Sequence, residues 1–183
     1  MMQKLRFSCL LNINNYSIHS SPFPVNILSL KQKKEMLKTI EEKALASFRA
    51  GLNCAQAVVT SYSDKMNYDN GLALSISCGF GGGMGKLQET CGAVTGSFMV
   101  LGIYNCIKFS DNKERKEATY PMVQKFSEQF KHINGSTDCI SLLKCDLKTE
   151  EGNLYAKENN LFETICEKCI SDSIRIISEL IEK

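Results

Sequence analysis

The residue types of this chain point first to sulfur chemistry. Its 183 residues include nine cysteines. One of them, Cys91, stands where a stretch rich in glycine (Gly79, Gly81, Gly82, Gly83, Gly85) hands over to an apolar segment. A thiol at a helix start faces unpaired backbone N–H groups and the positive end of the helix dipole, and both favour the thiolate. A thiolate can attack, pass electrons or bind metal. The plainer fate of a single cysteine in a core helix is to pack as a small hydrophobe. The glycines weigh against that fate, because so much backbone freedom serves close approach or tight folding around a site.

Cys166 and Cys169 are three residues apart in a segment of helical period, so their sulfurs share a face, as a metal pair or a redox pair requires. Cys139 and Cys145 flank a loop in the same C-terminal part. A zinc site wants two tight pairs, and only Cys166–Cys169 has that spacing. An iron–sulfur cluster takes three or four thiolates, which distant stretches can supply once helices pack.

Other chemistries find little support. A phosphate loop needs a preceding strand and a Gly-Lys-Ser/Thr ending, whereas Gly85-Lys86 is followed by Leu87 and a helix precedes the glycines. His19 lies in an irregular N-terminal stretch and His132 on a charged helix face, so neither reads as a ligand or base. The carboxylates are scattered over polar faces, with no pair placed for acid–base work.

The net charge of +2 is too small to imply a nucleic-acid or membrane-surface partner. Nine cysteines amount to about 5% of the chain, below the roughly 8–10% of disulfide-stapled secreted domains. The cysteines are therefore expected reduced, metal-bound or redox-active, and the expected location is the cytoplasm. The apolar stretch after Lys4 and Arg6 is too short for an export signal, and no window approaches the roughly 18 apolar residues of a membrane span.

The elements that must position the thiols read as helices throughout. Residues 1–30, with Pro22, Pro24 and many Asn and Ser, are expected as a poorly ordered extension, and residues 31–183 as one compact helical domain. Met36, Leu37, Ile40, Ala44, Leu45 and Phe48 have helical spacing up to Gly51. Asn53 can cap a second helix running to about Met66, and Asp69 or Asn70 a third ending near Cys78. A fourth, capped by Thr90 and nearly uncharged from Cys91 to about Ile107, reads as a buried central helix. Its Gly92, Gly96 and Gly102 each cost about 1 kcal/mol against alanine, which implies a packing reason. Gly92 and Gly96 share a face and would let a neighbouring backbone come close beside the Cys91 sulfur. A charged helix from about Asn112 to His132, a short one capped by Asp138, a loop from Lys148 to Asn153 and a last helix from about Asn159 to Ile181 complete an all-α bundle of about six helices.

The stretches Asn53-Cys54-Ala55-Gln56, Gly79-Phe80-Gly81-Gly82-Gly83-Met84-Gly85 and Cys91-Gly92-Ala93-Val94-Thr95-Gly96 resemble the C_GCAxxG_C_C family of redox-active proteins, whose hallmark is a CGAxxG motif with a few spaced cysteines. Cys91 to Gly96 match that motif at every specified position, and the resemblance spans roughly residues 35 to 180. By position it implies Cys54, Cys91, Cys139 and Cys166 as the family's cysteines, with Cys78, Cys145 and Cys169 as looser counterparts and none for Cys9 or Cys106. The resemblance implies redox activity without a substrate, and a related domain in a multihaem cytochrome is thought to hold an iron–sulfur cluster.

The expectation is thus that Cys54, Cys91, Cys139 and Cys166 converge on one site beside Gly82 and Gly83. There they either ligate an iron–sulfur or other metal centre, or exchange disulfides with Cys91 and Cys54 as the reacting thiols. The rival is a zinc-stabilised or simply packed helical binding protein. A redox partner protein is implied, and a homodimer would place the sulfur at a subunit boundary.

Overall fold

The computed structural model describes residues 29–182. The expected N-terminal extension, with Cys9 and His19, lies outside the described residues apart from Ser29 and Leu30.

Helix α1 spans Leu30–Arg49 and opens on a reciprocal cap: the Ser29 hydroxyl accepts from the Gln32 N–H, and the Gln32 side chain accepts from the Ser29 N–H. Asn53 and Gln56 repeat the device at the start of α2, Cys54–Ser61. Each such box satisfies two backbone donors that a helix start leaves unpaired. The second helix does not run on to Met66 as expected. It breaks at Tyr62, where the Ser61 and Ser63 hydroxyls donate to the carbonyls of Val58 and Thr60, three residues back in each case. Hydroxyls bound back onto their own backbone compete with the helical ladder. A short α3, Ser63–Met66, follows and closes on left-handed Asn67. Buried Tyr62 then donates its own hydroxyl to the Ile174 carbonyl.

Asp69 caps α4, Asn70–Ser77, as expected. Helix α5 spans Gly92–Lys108 and α6 spans Asn112–Asn134, capped by Asp111 and closed by left-handed Gly135. Phe126 of α6 lies edge-on to Phe98 of α5, with ring centroids 5.8 Å apart, and stacks on Phe130 at 5.9 Å. Helix α7 is Cys139–Leu143. The expected loop at residues 148–153 is instead the start of a helix, α8, Glu150–Glu158. The Thr149 hydroxyl accepts from the Gly152 N–H, and two glutamates occupy its first turn, where the dipole favours them. A π turn at Phe162–Cys166 leads into α9, Glu167–Ile181.

The described residues are therefore all-helical with nine helices rather than about six, since one expected helix is split and another occupies the expected loop at residues 148–153. Their only β pairing is an isolated antiparallel bridge, Thr90 to Asp138. Buried residues of α1, α2, α5, α6 and α9 form the core. Helix α5 is buried over Gly92–Ser97 and again at Val100, Leu101 and Asn105, but Ile107 is 56% exposed, so only its first half is enclosed.

The glycines of α5 divide in the same way. A Cβ at Gly92 would lie 2.9 Å from the Phe80 carbonyl oxygen and 3.1 Å from the Cys54 Cβ; one at Gly96 would lie 2.9 Å from the Ala55 carbonyl oxygen. Those two glycines let α2 lie against α5, as their spacing suggests. Gly102 has open space around it and no packing reason. Gly92→Ala is accordingly expected to destabilise the protein by about 1–3 kcal/mol through overpacking. Gly102→Ala is expected to stabilise it by up to ~1 kcal/mol through helix propensity. Urea unfolding followed by circular dichroism measures both.

Candidate functional site

Three helices begin at a cysteine on one side of the molecule. Cys54 is the first residue of α2, Cys91 is the N-cap of α5 and Cys139 is the first residue of α7. Thr90 does not cap α5, because it is drawn into the bridge with Asp138. The pairing is reinforced by backbone hydrogen bonds: Cys91 N–H donates to the Thr137 carbonyl at 2.8 Å, Cys139 N–H to Glu89 at 2.7 Å, and Ile140 N–H to Gln88 at 3.1 Å. This short ladder fixes Cys139 beside Cys91. Asp138 sits at the N-cap position of α7, but its carboxylate makes no cap bond; it accepts from the Ser136 hydroxyl instead.

The glycine stretch is not an open loop. After a 3₁₀ turn at Cys78–Phe80, the five consecutive residues Gly82, Gly83, Met84, Gly85 and Lys86 all have positive φ, which winds one left-handed turn. Gly83, at φ +68°, cannot be replaced without collision, since a Cβ there would lie 2.6 Å from the Cys139 Cβ. Gly81 gives way in the same manner to Asn53, whose amide donates to the Cys78 carbonyl at 2.9 Å and ties the turn to α2. Gln88, also left-handed and fully enclosed, donates to the Cys145 carbonyl and accepts from the Leu147 N–H, both at 2.8 Å. It holds the segment after α7 over the site.

Between these elements and the π turn lies a cavity of about 580 Å³, with Cys54, Cys78, Cys91, Cys139, Cys166 and Cys169 in its lining, along with Gly82 and Gly83. The four cysteines expected to converge do share this cavity. All four are buried, as is Cys169, while Cys78 is exposed at the rim. Cys145 is half-buried and outside the lining, and Cys106 is exposed on the far part of α5.

Within the cavity the thiols are engaged two by two. Sequence spacing pairs Cys166 with Cys169; in the fold Cys166 instead meets Cys54, and Cys169 meets Cys91. The neighbouring Cys169 thiol, with the N–H groups of Ala93 and Val94, holds the Cys91 pKa below its ordinary value despite burial. Cys169 moves the opposite way: the neighbouring Cys91, and then burial, raise its pKa strongly, with Lys168 a small opposing influence. The hydrogen bond to Cys166 raises Cys54 well above its usual value, and burial and the Cys91 charge add to this. Burial, then the charges of Cys91 and Cys54, push Cys139 up to about 12. Burial chiefly raises Cys145, with Asp146 adding to it. Of the thiols whose pKa moves, Cys91 alone is shifted toward the thiolate, while Cys54, Cys139 and Cys169 are shifted toward the protonated thiol.

The donors are sulfur alone, the soft ligand type that suits iron–sulfur centres and zinc. Among the described residues, however, no three His, Cys, Asp or Glu side chains are gathered as a metal ion requires. No helix among them is long and apolar enough to cross a membrane. Cys169 as the partner of Cys91, and Gln88 as the clamp, were the contributors least visible in sequence. The spacing of Cys169 favoured Cys166, and nothing marks a lone glutamine as enclosed.

A family model described as "Putative redox-active protein (C_GCAxxG_C_C)" matches residues 52–180. No curated protein and no solved structure matches the chain.

The Cys169 thiol is the largest support of the Cys91 thiolate, so its removal is expected to raise the Cys91 pKa. Charge-assisted hydrogen bonds contribute about 1.5–3 kcal/mol, so Cys169→Ala should slow alkylation of Cys91 at neutral pH by roughly ten-fold or more. Cys169→Ser, which keeps a donor, should recover part of the rate. Iodoacetamide labelling against pH, read by peptide mass spectrometry, measures it.

Proposed function

The chain belongs to the C_GCAxxG_C_C family, and with its thiol pairs as the second premise we propose that it is a thiol–disulfide redox protein in which Cys91 attacks and Cys169 resolves. The observation that carries this reading is that Cys91 and Cys169 lie buried together in the lining of one cavity, with Cys91 at the start of α5 and the two pKa values shifted in opposite directions. An attacking thiol works best with a pKa near ambient pH and a second thiol within reach.

The Cys91 thiolate attacks one sulfur of a substrate disulfide. That S–S bond breaks, a mixed disulfide forms on Cys91, and the first substrate thiolate leaves. Cys169 no longer faces an anion. It passes its proton to the leaving thiolate and attacks the Cys91 sulfur, so the Cys91–Cys169 bond forms and the second substrate sulfur departs as thiolate. Two electrons move from protein to substrate, and an external dithiol returns them. Cys54, paired with Cys166 on the same cavity, is the next thiol that could attack the Cys91–Cys169 disulfide, while Cys139 stays protonated at neutral pH.

A second reading is favoured by one observation: Cys54, Cys91, Cys139 and Cys166 line a single cavity. Four thiolates in such a setting suit an iron–sulfur centre, which those residues would hold and which would supply one-electron transfer when bound. The two-by-two engagement of the thiols supports exchange in preference.

Anaerobic purification followed by iron, sulfide and zinc analysis separates the readings. Metal-free protein whose thiols cycle on oxidation and reduction, with a Cys91–Cys169 disulfide in the peptide map, is the expected result, and Cys91→Ser should abolish the cycling. Stoichiometric iron and sulfide would favour the cluster. Stoichiometric zinc without a redox response would leave a structural protein.

A further inference from the structure

We propose that the cavity is a binding site for a small disulfide bearing an anionic group, which Lys86 and Lys157 hold while its sulfurs reach Cys91. This deepens the exchange reading and rests on it.

Size argues for a small molecule. Cys91 is 5% exposed and Cys169 2% exposed, so the substrate's S–S bond must come into the cavity. A volume of about 580 Å³ lies within the roughly 300–1,000 Å³ of small-ligand sites. A disulfide on a folded protein brings two chain segments with it and has no such access to sulfurs so enclosed.

Charge argues for an anion. The lining contains no aspartate or glutamate, and apart from the reacting Cys91 its charged side chains are Lys86 and Lys157. Among the described residues neither lysine is in an ion pair. They come from two different elements, Lys86 from the left-handed turn and Lys157 from the last turn of α8. Much of the remaining lining is apolar, with Phe48, Leu142, Leu147, Phe162 and Ile165.

Lys86 is also held in place. Its own φ is +65°, a conformation that costs a non-glycine residue about 1–2 kcal/mol, and its stem lies over Gly82, where a Cβ would meet the Lys86 Cγ at 3.0 Å. Strained backbone persists where the surroundings over-determine it, and such positions cluster at ligand clamps. The carboxylate of a disulfide would lie at the two ammonium groups, its body against the apolar walls and its sulfurs toward Cys91. The electron balance is that given above: two electrons from the Cys91–Cys169 pair, one S–S bond broken and one formed.

Two aromatic disulfides of similar size provide the test: dithiobis(nitrobenzoate), which carries two carboxylates, and dithiodipyridine, which is uncharged at neutral pH. Exposed cysteines also react, so the quantity measured is the part of the rate that Cys91→Ser removes, normalised to each probe's rate with free cysteine. Low ionic strength preserves the effect of exposed charges. The anionic probe is expected to react roughly ten-fold faster than the neutral one, and the double variant Lys86→Gln with Lys157→Gln to lose that advantage while keeping the neutral rate within two-fold. An unchanged neutral rate also shows that the double variant is folded. If Cys91 reacts with both probes but the lysines make no difference, the anion site is wrong and the exchange reading stands. If Cys91→Ser removes nothing from either rate, the exchange reading falls and this inference falls with it. Oxidised thioredoxin exchanging with Cys91 as fast as the small disulfides would overturn the small-molecule assignment.

Discussion

Helix α2 lies against the start of α5 with backbone touching backbone, and the sulfur cavity exists only because it does. The contact needs hydrogen rather than a side chain at two places one helical turn apart. Gly92 faces the Phe80 carbonyl and the Cys54 Cβ, and Gly96 faces the Ala55 carbonyl. Glycine inside a helix costs about 1 kcal/mol, yet here it sets the separation of the two helices and thereby the placement of Cys54 beside Cys91. The N-terminal half of α5 is enclosed because α2 covers it; its distal half, with Cys106 and Ile107, is free of that cover.

A second constraint is stored in the backbone. Five residues wind in the disfavoured hand between the 3₁₀ turn and Leu87, and Gln88 repeats the conformation. Three of these positions, Met84, Lys86 and Gln88, are not glycine, so the turn carries strain that must be offset nearby. Gln88 offsets part of it by satisfying two backbone groups of the segment after α7, and the ladder from Glu89 and Cys91 to residues 137–139 adds more. The turn's reward is proximity: Gly83 lets the Cys139 side chain sit where a Cβ would be, and Gly81 admits Asn53.

Much of this could be read from residue order, where the signal was local. The caps at Asn53 and Asp69 and the shared face of Gly92 and Gly96 are short-range patterns, and each appears where the chemistry of its residue type puts it. Local patterns failed where a distant partner competed. Thr90 looks like a cap until Asp138 takes its backbone. Cys169 looks like the mate of Cys166 until α9 brings it to Cys91. The split at Tyr62 depends on hydroxyls that turn back on their own chain, and α8 was hidden by polar composition although Thr149 and two glutamates announce its start. The left-handed sense of the glycine turn has no counterpart in spacing at all, since glycine permits both hands equally.

The opposed pKa shifts of Cys91 and Cys169 have an energetic consequence for the couple they would form. In the proposed couple, closing the bond releases two electrons but a single proton over any pH range in which Cys91 is ionised and Cys169 is not. The midpoint potential of such a couple shifts by about 30 mV per pH unit, half the slope of a dithiol that sheds both protons. Acidification therefore alters its driving force only gently, a property set by which of two identical atoms happens to lie at the mouth of a helix.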